Sequence, residues 1–294
     1  LFVFSYALLL RWRRLEELRA EENRALVVAQ HKSLAAEMAA SVAHDFRNLL
    51  GVIQGSAELM DKGQTADELE AFKADILAAA ERGEKLADKM IADVTEVLET
   101  RFWEDQHGAI AEEFNADWSE IAPYHGQNSN MHLTEALMAA FEATGEREYL
   151  VKAERIADLI INRRARENGW RVAEHFDAGW NVDKAYAGDP MFRPSGTTPG
   201  HWLEWSRLVL QLWALGGKKH AWMLEASEAL FRASVTIGWD KQFGGFFYNL
   251  DWNDKPDQPH KLWWPMCEAI GAAAFLGAHR PSEFHESWYR RIWD

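Results

Sequence analysis

From Leu15 onward the apolar positions Leu34, Met38, Val42, Leu49, Ile53 and Met60 recur at helical spacing, and nothing breaks a helix before Gly51 and Gly55. Asp61-Lys62-Gly63-Gln64-Thr65 reads as a turn. Asp67 to Glu99 then predicts a second long helix with Leu69, Phe72, Ile76, Leu86, Met90, Val94 and Val97 on its buried side. Two long helices joined by a short turn leave part of their apolar stripe uncovered. Pairing two hairpins into a four-helix bundle would bury it, so residues 34–98 are expected to form a homodimer. Beyond residue 100 the pattern predicts helices in pairs, at about 130–144 and 146–166, 201–215 and 218–237, 264–278 and 281–294. Long aromatic loops, 168–200 and 239–262, separate the pairs, and the second contains Gly244-Gly245-Phe246-Phe247-Tyr248, which reads as a short hairpin. The predicted class is all-α: a long helical hairpin, half of a dimeric bundle, followed by an α-toroid or α-solenoid whose loops carry the site.

Composition adds boundaries to this picture. All but one of the 15 tryptophans follow residue 100, which places a change of domain near Leu98–Phe102. The net charge of −14 argues against nucleic acid as a partner, because phosphate binding needs a basic face. The single cysteine, Cys267, excludes an intrachain disulfide framework and a Cys-rich zinc site, and fits a reducing, cytoplasmic compartment. Leu1–Leu10 is apolar apart from Ser5 and Tyr6 and is followed by Arg11, Arg13 and Arg14. That order reads as the cytoplasmic end of a transmembrane helix, residues 1–14, which would tether the chain to the inner membrane. A buried terminal helix is the alternative. Residues 15–100 then form a coiled-coil linker and hairpin, and 101–294 a separate helical domain.

The candidate chemistry lies in that second part. Pro199-Gly200-His201-Trp202-Leu203-Glu204-Trp205 opens the most apolar helical run, and His201 and Glu204, three residues apart, share a helix face. An imidazole beside a carboxylate is a proton-transfer pair, since the carboxylate can orient the ring. Alternatively, His201 caps its helix and Glu204 only complements the positive helix N-terminus. No third ligand stands at convincing spacing, so the pair is not read as a metal site, and no cofactor is called for. His107, His125, His175, His220, His260, His279 and His285 are expected as surface or loop residues.

Two resemblances extend this reading. Ser41-Val42-Ala43-His44-Asp45-Phe46-Arg47-Asn48-Leu49-Leu50 resembles the H-box of the dimerisation and phosphoacceptor domain of sensor histidine kinases, over about residues 30–100. The resemblance implies that His44 accepts a phosphoryl group, that Asp45 assists as a base, that Asn48 positions water, and that a response regulator is a partner. No asparagine box, glycine-rich lid or P-loop follows, so no self-phosphorylation is expected.

Pro123-Tyr124-His125-Gly126-Gln127-Asn128-Ser129-Asn130-Met131-His132-Leu133-Thr134-Glu135-Ala136 resembles the N-acylglucosamine 2-epimerase superfamily, on the branch that holds the mannose and sulfoquinovose isomerases. Met191-Phe192-Arg193-Pro194, the His201 stretch, and Lys261-Leu262-Trp263-Trp264-Pro265-Met266-Cys267-Glu268-Ala269 continue it in order. The resemblance implies an (α/α)6 barrel and metal-independent aldose–ketose isomerisation or 2-epimerisation of a hexose through a cis-enediol. It assigns proton transfer to His201 with Glu204 orienting it. His132 would act at the sugar oxygens, Asn128 and Glu268 would bind hydroxyls, Trp264 would stack on the sugar, and Arg193 would bind substrate. Six helices are expected where the family barrel has twelve. The family's early arginine-bearing helix would precede residue 101, where the kinase-like hairpin stands, and its second catalytic histidine would lie beyond Asp294. A partial barrel with an exposed apolar edge and little or no activity is therefore expected. The readings left by the sequence are a sugar isomerase-like domain behind a phosphoacceptor hairpin, a signalling protein whose barrel only binds a sugar, and a chimera of two unrelated fragments.

Overall fold

The computed structural model describes residues 48–60, 65–115, 117–119, 124–189 and 193–293. The chain divides into two compact units, Leu1–Asp93 and Val94–Asp294. Residues 48–60 form α1 and Ala66–Val97 form α2. Thr65 starts α2 with a reciprocal cap: the Glu68 N–H donates to its hydroxyl at 3.4 Å, and its own N–H donates to the Glu68 carboxylate at 2.8 Å. Only Ala79 of α2 is buried. Phe72, Ile76 and Leu86 are half-buried, but Leu69, Met90, Val94 and Val97, expected on the buried side, are exposed in the single chain. One helix cannot cover a stripe this broad. Most of the expected turn at Asp61–Thr65 lies outside the described residues, as do His44, Asp45 and Leu1–Leu10. Among the described residues no helix is long and apolar enough to cross a membrane.

The second unit begins inside the last turns of α2, which widen into a π-helical turn, Leu98–Phe102. There the Thr95 hydroxyl meets the Tyr149 hydroxyl at 3.2 Å and Glu99 pairs with Lys152 at 2.7 Å. Helical backbone is therefore continuous from Ala66 to Phe102. β1 (Trp103–Glu104) and β2 (Ala109–Ile110) follow as a short antiparallel pair. Three helical hairpins come next: α3 (Gln127–Thr144) with α4 (Arg147–Ala157, continued as π-helix to Ala165), α5 (Pro199–Leu215) with α6 (Ala221–Ala233, continued to Gly238), and α7 (Trp263–His279) with α8 (Glu283–Trp293). These are the six helices that the apolar spacing predicts, with ends shifted by a few residues.

α5 is the helix on which α3, α4, α6 and α7 pack, and α8 packs on α7. Its sequence explains this. Pro199 stands at the first helical position, where its missing N–H costs nothing, and Leu203, Leu208, Val209, Leu210 and Leu212 are buried, which confines the larger polar side chains to the single stripe of His201, Glu204, Arg207 and Gln211. α5 and α6 approach closely through two buried serines, with the Ser206 hydroxyl donating to the Ser227 carbonyl at 2.8 Å and the Ser227 hydroxyl to the Ser206 carbonyl at 2.7 Å. Leu203, Leu210, Phe231, Trp239, Phe246 and Leu276 build the core between α5, α6 and α7.

Three two-stranded pieces decorate the loops. β3 (Tyr124–Gly126) pairs antiparallel with β4 (His175–Asp177), opposing Gly126 to His175. β5 (Asn249–Leu250) pairs with β6 (Pro256–Gln258). The hairpin expected at Gly244–Tyr248 is thus displaced. Gly244 and Gly245, both at positive φ, instead close a single bridge between Trp239 and Phe246, and the paired strands come after it.

Candidate active site

The N-terminal ends of α3, α5 and α7 bring the titratable side chains together. Cross-links between the three helices show this: His132 of α3 faces Glu204 of α5 at 3.7 Å, and Arg207 of α5 reaches Glu268 of α7 at 2.8 Å and Glu135 of α3 at 3.2 Å. Beside them lies a cavity of about 250 Å³, lined among others by Tyr124, Asn128, His175, Arg193, His201 and Trp264. This is below the roughly 300–1,000 Å³ of drug-sized ligand sites and suits a small molecule.

His201 occupies the first turn of α5. Its Nδ1 lies 2.9 Å and 3.0 Å from the two carboxylate oxygens of Glu174, a buried residue just before β4. Burial works against the charged imidazole, but the Glu174 charge and hydrogen bond outweigh it and hold the His201 pKa above the usual histidine value. Burial likewise works to raise the Glu174 pKa, and the His201 charge and the hydrogen bonds it accepts bring it below the ordinary carboxylate range. The Trp264 ring lies against His201, centroids 5.1 Å apart. It can do so because Gly200 has no Cβ: one built there would run into the Trp264 ring.

In the lining of the same cavity the Tyr124 hydroxyl is 2.8 Å from His175 Nδ1, and His175 Nε2 is 2.8 Å from the Pro194 carbonyl. A carbonyl only accepts, so Nε2 carries the proton and Nδ1 accepts from the tyrosine. Burial lowers the His175 pKa, which keeps this ring neutral, and burial followed by the Glu112 charge raises that of Tyr124. Arg193 stacks over the Tyr124 ring at 5.2 Å and pairs with Glu113 at 3.3 Å and Glu112 at 3.8 Å.

The third cluster surrounds Glu204. Burial first, and then the charge of Glu268, push its pKa up to about 7. Burial lowers that of His132, with the His201 charge adding to it. Near neutral pH Glu204 can therefore both give and take a proton. His132, Glu135 and Glu204 bring ligand atoms within 4.8 Å of one another, a grouping that could hold a metal ion. Arg207 already occupies Glu135 and sets a fixed positive charge beside the trio, which opposes a cation there.

The sequence-predicted residues thus fall into separate groups. Asn128, Arg193, His201 and Trp264 line one cavity, whereas His132, Glu204 and Glu268 gather in the Arg207 cluster. Glu204, expected to orient His201, faces His132 instead, and Glu174 takes the orienting position. Side chains on one helix face point outward from it, so a carboxylate arriving from a neighbouring loop approaches the ring more directly than one a turn along. Asn48 lies in α1, beside a shallow hollow with Leu49, Val52, Arg82 and Leu86. The expectation of surface histidines fails for His125, His175 and His285, all of which are buried. His125 pairs with Glu104 at 3.0 Å and His285 with Glu228 at 2.8 Å, and such partners are what make a buried imidazole tolerable. Glu174, Gln127, Tyr124, His175 and Arg207 were missed by sequence reasoning. Glu174 is 27 residues from His201, a separation that no helical spacing reveals.

Paired helices whose N-terminal ends gather beside one small cavity define an architecture of the α-toroid type. The model of the N-acylglucosamine 2-epimerase (GlcNAc 2-epimerase) family matches residues 37–294, and the chain belongs to that family. The match crosses the composition change near Leu98–Phe102 and takes in α2. Two curated relatives are D-mannose isomerases. That of Pseudomonas cannabina pv. alisalensis is 41% identical over 252 residues, covering 81% of this chain and 60% of the relative. That of Thermobifida fusca is 41% identical over 226 residues, covering 74% and 56%. A crystal structure of D-mannose isomerase superposes with a TM-score of 0.68 at 33% identity, covering 77% of this chain and 57% of the other. A cellobiose 2-epimerase from Bacillus thermoamylovorans, at 16% identity and a TM-score of 0.58, shares the fold. The chain spans about 60% of the length of the curated relatives it matches.

Proposed function

We propose that this chain carries the proton-transfer site of an aldose–ketose isomerase acting on free mannose. The observation that supports it is His201: an imidazole clamped by a buried carboxylate at the wall of a sugar-sized cavity, under an aromatic ring. The D-mannose isomerase relatives supply the substrate class. In the reaction His201 takes the C2 proton of the open-chain aldose while the carbonyl oxygen at C1 is protonated, giving a cis-enediol. The hydroxyl at C2 then loses its proton and a proton is delivered to C1, giving the ketose. Glu204, titrating near neutral pH, and His132 exchange protons with the sugar oxygens. Asn128 binds a hydroxyl at the cavity mouth, Trp264 stacks on the sugar, and Arg193, neutralised by Glu112 and Glu113, donates to its oxygens. Glu268 holds Arg207.

The test is proton NMR of mannose incubated with the protein in heavy water. Loss of the C2 proton signal together with the appearance of fructose supports the reading, and both must vanish in His201→Gln. Unaltered mannose after long incubation sinks it for this chain. The phosphoacceptor reading of His44 is supported only by its sequence neighbourhood, and phosphotransfer from a small phosphodonor, lost in His44→Gln, is its separate test.

A further inference from the structure

We infer that Glu174 is a positioning residue: it holds His201 with the proton on Nδ1, so that Nε2 is the nitrogen that faces the cavity and exchanges protons. The last step rests on the function proposed above; the tautomer does not. Three donors converge on the enclosed Glu174 carboxylate in four contacts. The Thr198 N–H donates to Oε1 at 3.1 Å, the Gln127 amide to Oε2 at 3.1 Å, and His201 Nδ1 lies within 3.0 Å of both oxygens. The Gln127 amide is itself oriented. Trp205 Nε1 can only donate, and it donates to Gln127 Oε1 at 2.7 Å, which turns the NH₂ toward Glu174 and His201. That NH₂ also lies 2.9 Å from His201 Nδ1, so two tautomers compete. With Nδ1 bare, the ring would gain one neutral hydrogen bond but would set a lone pair against a buried anion. With Nδ1 protonated, it donates to that anion, and a charge-assisted bond is roughly twice as strong as a neutral one. The Nδ1–H form wins.

The arrangement also prepares the site for the charge that develops. When Nε2 accepts a proton from carbon the ring becomes an imidazolium, and the carboxylate that stabilises it is already in place and desolvated. The charges of Glu204 on α5 and Glu268 on α7 also act on the ring from a distance, and that of His132 on α3 opposes them. Glu174 differs from these in touching it. The same contact favours the charged imidazole, so it raises the pH at which His201 is released as a base.

The decisive measurement is a long-range ¹H–¹⁵N spectrum of the ¹⁵N-histidine-labelled chain, with His201 assigned by its loss in His201→Gln. The expected result is a protonated Nδ1, a titrating Nε2 and an elevated midpoint. In Glu174→Gln the midpoint falls by about 1 unit or more, and in Glu174→Asp, which keeps the charge, it falls less. A dominant Nε2–H tautomer in the unaltered chain overturns the inference without need of any variant, and so does an unshifted midpoint in Glu174→Gln. If the spectra agree but mannose is not converted, the proposed function fails and the positioning role stands. If mannose is converted, the acid limb of kcat/KM moves to lower pH in Glu174→Gln by the same amount as the NMR midpoint. A merely structural role would lower Tm and leave that limb in place.

Discussion

Burial sets the behaviour of Glu204 more than any single partner, and this has a consequence for stability. Its pKa is about 7 in the fold against an ordinary carboxyl value of 4.5, so between those values the folded chain holds a proton that the unfolded chain has released. Stability from this group therefore falls as pH rises from about 5 to 8, by an amount on the order of 3 kcal/mol. Glu204→Gln, which cannot ionise, should gain on the parent as pH increases across that window. Paired urea unfolding curves at pH 5 and pH 8 check it, and a constant difference between the two proteins would contradict it. Arg207 is the compensating cation of the same cluster. Arg207→Met strips Glu268 and Glu135 of their partner, and is expected to cost about 2 kcal/mol by urea denaturation. Because Arg207 also holds the Glu204 pKa down, the same variant should raise the pH at which Glu204 ionises.

The N-termini of the helices, more than their lengths, decide where the site lies. His201 and Glu204 on α5, Asn128 and His132 on α3, and Trp264 and Glu268 on α7 all fall in the opening turns. The contact between α5 and α7 depends on Gly200. Gly200→Ala forces the Trp264 ring away from α5, and a side chain wedged into a packed contact typically costs about 1–3 kcal/mol. The expected outcome is a lower Tm, altered tryptophan fluorescence and, for the isomerisation proposed above, a KM for mannose raised several-fold. An unchanged KM would show that Trp264 does not bear on the sugar.

For the molecule as a whole, assembly turns on α2, whose Leu69, Met90, Val94 and Val97 are exposed in the single chain. The pairing of two hairpins, expected from the width of the apolar stripe, predicts a dimer in sedimentation equilibrium. Leu69→Glu with Met90→Glu should then give a monomer, because each change would bury a charge without a partner. A monomeric parent protein would reject the pairing. The family match runs from residue 37 through α2, and within the second unit Thr95 and Glu99 are tied to α4.

The linear pattern determined a good deal. Period-3.6 spacing of apolar residues located all six helices of α3–α8, since each must bury one face and the spacing of that face is local information. Four motifs marked the family and, within it, His201, Asn128, Arg193 and Trp264, which do meet in one cavity. What the sequence could not supply was partnership across distance. Whether His201 is held by Glu204, three residues away, or by Glu174, in another loop, depends on how β4 docks beside α5. The burial of His125, His175 and His285 depends likewise on neighbours brought from far along the chain. Electrostatics follows the same division: charge count is written in the sequence, but the pKa of Glu204 is set by desolvation and by Glu268 of α7, and only the folded chain puts them together.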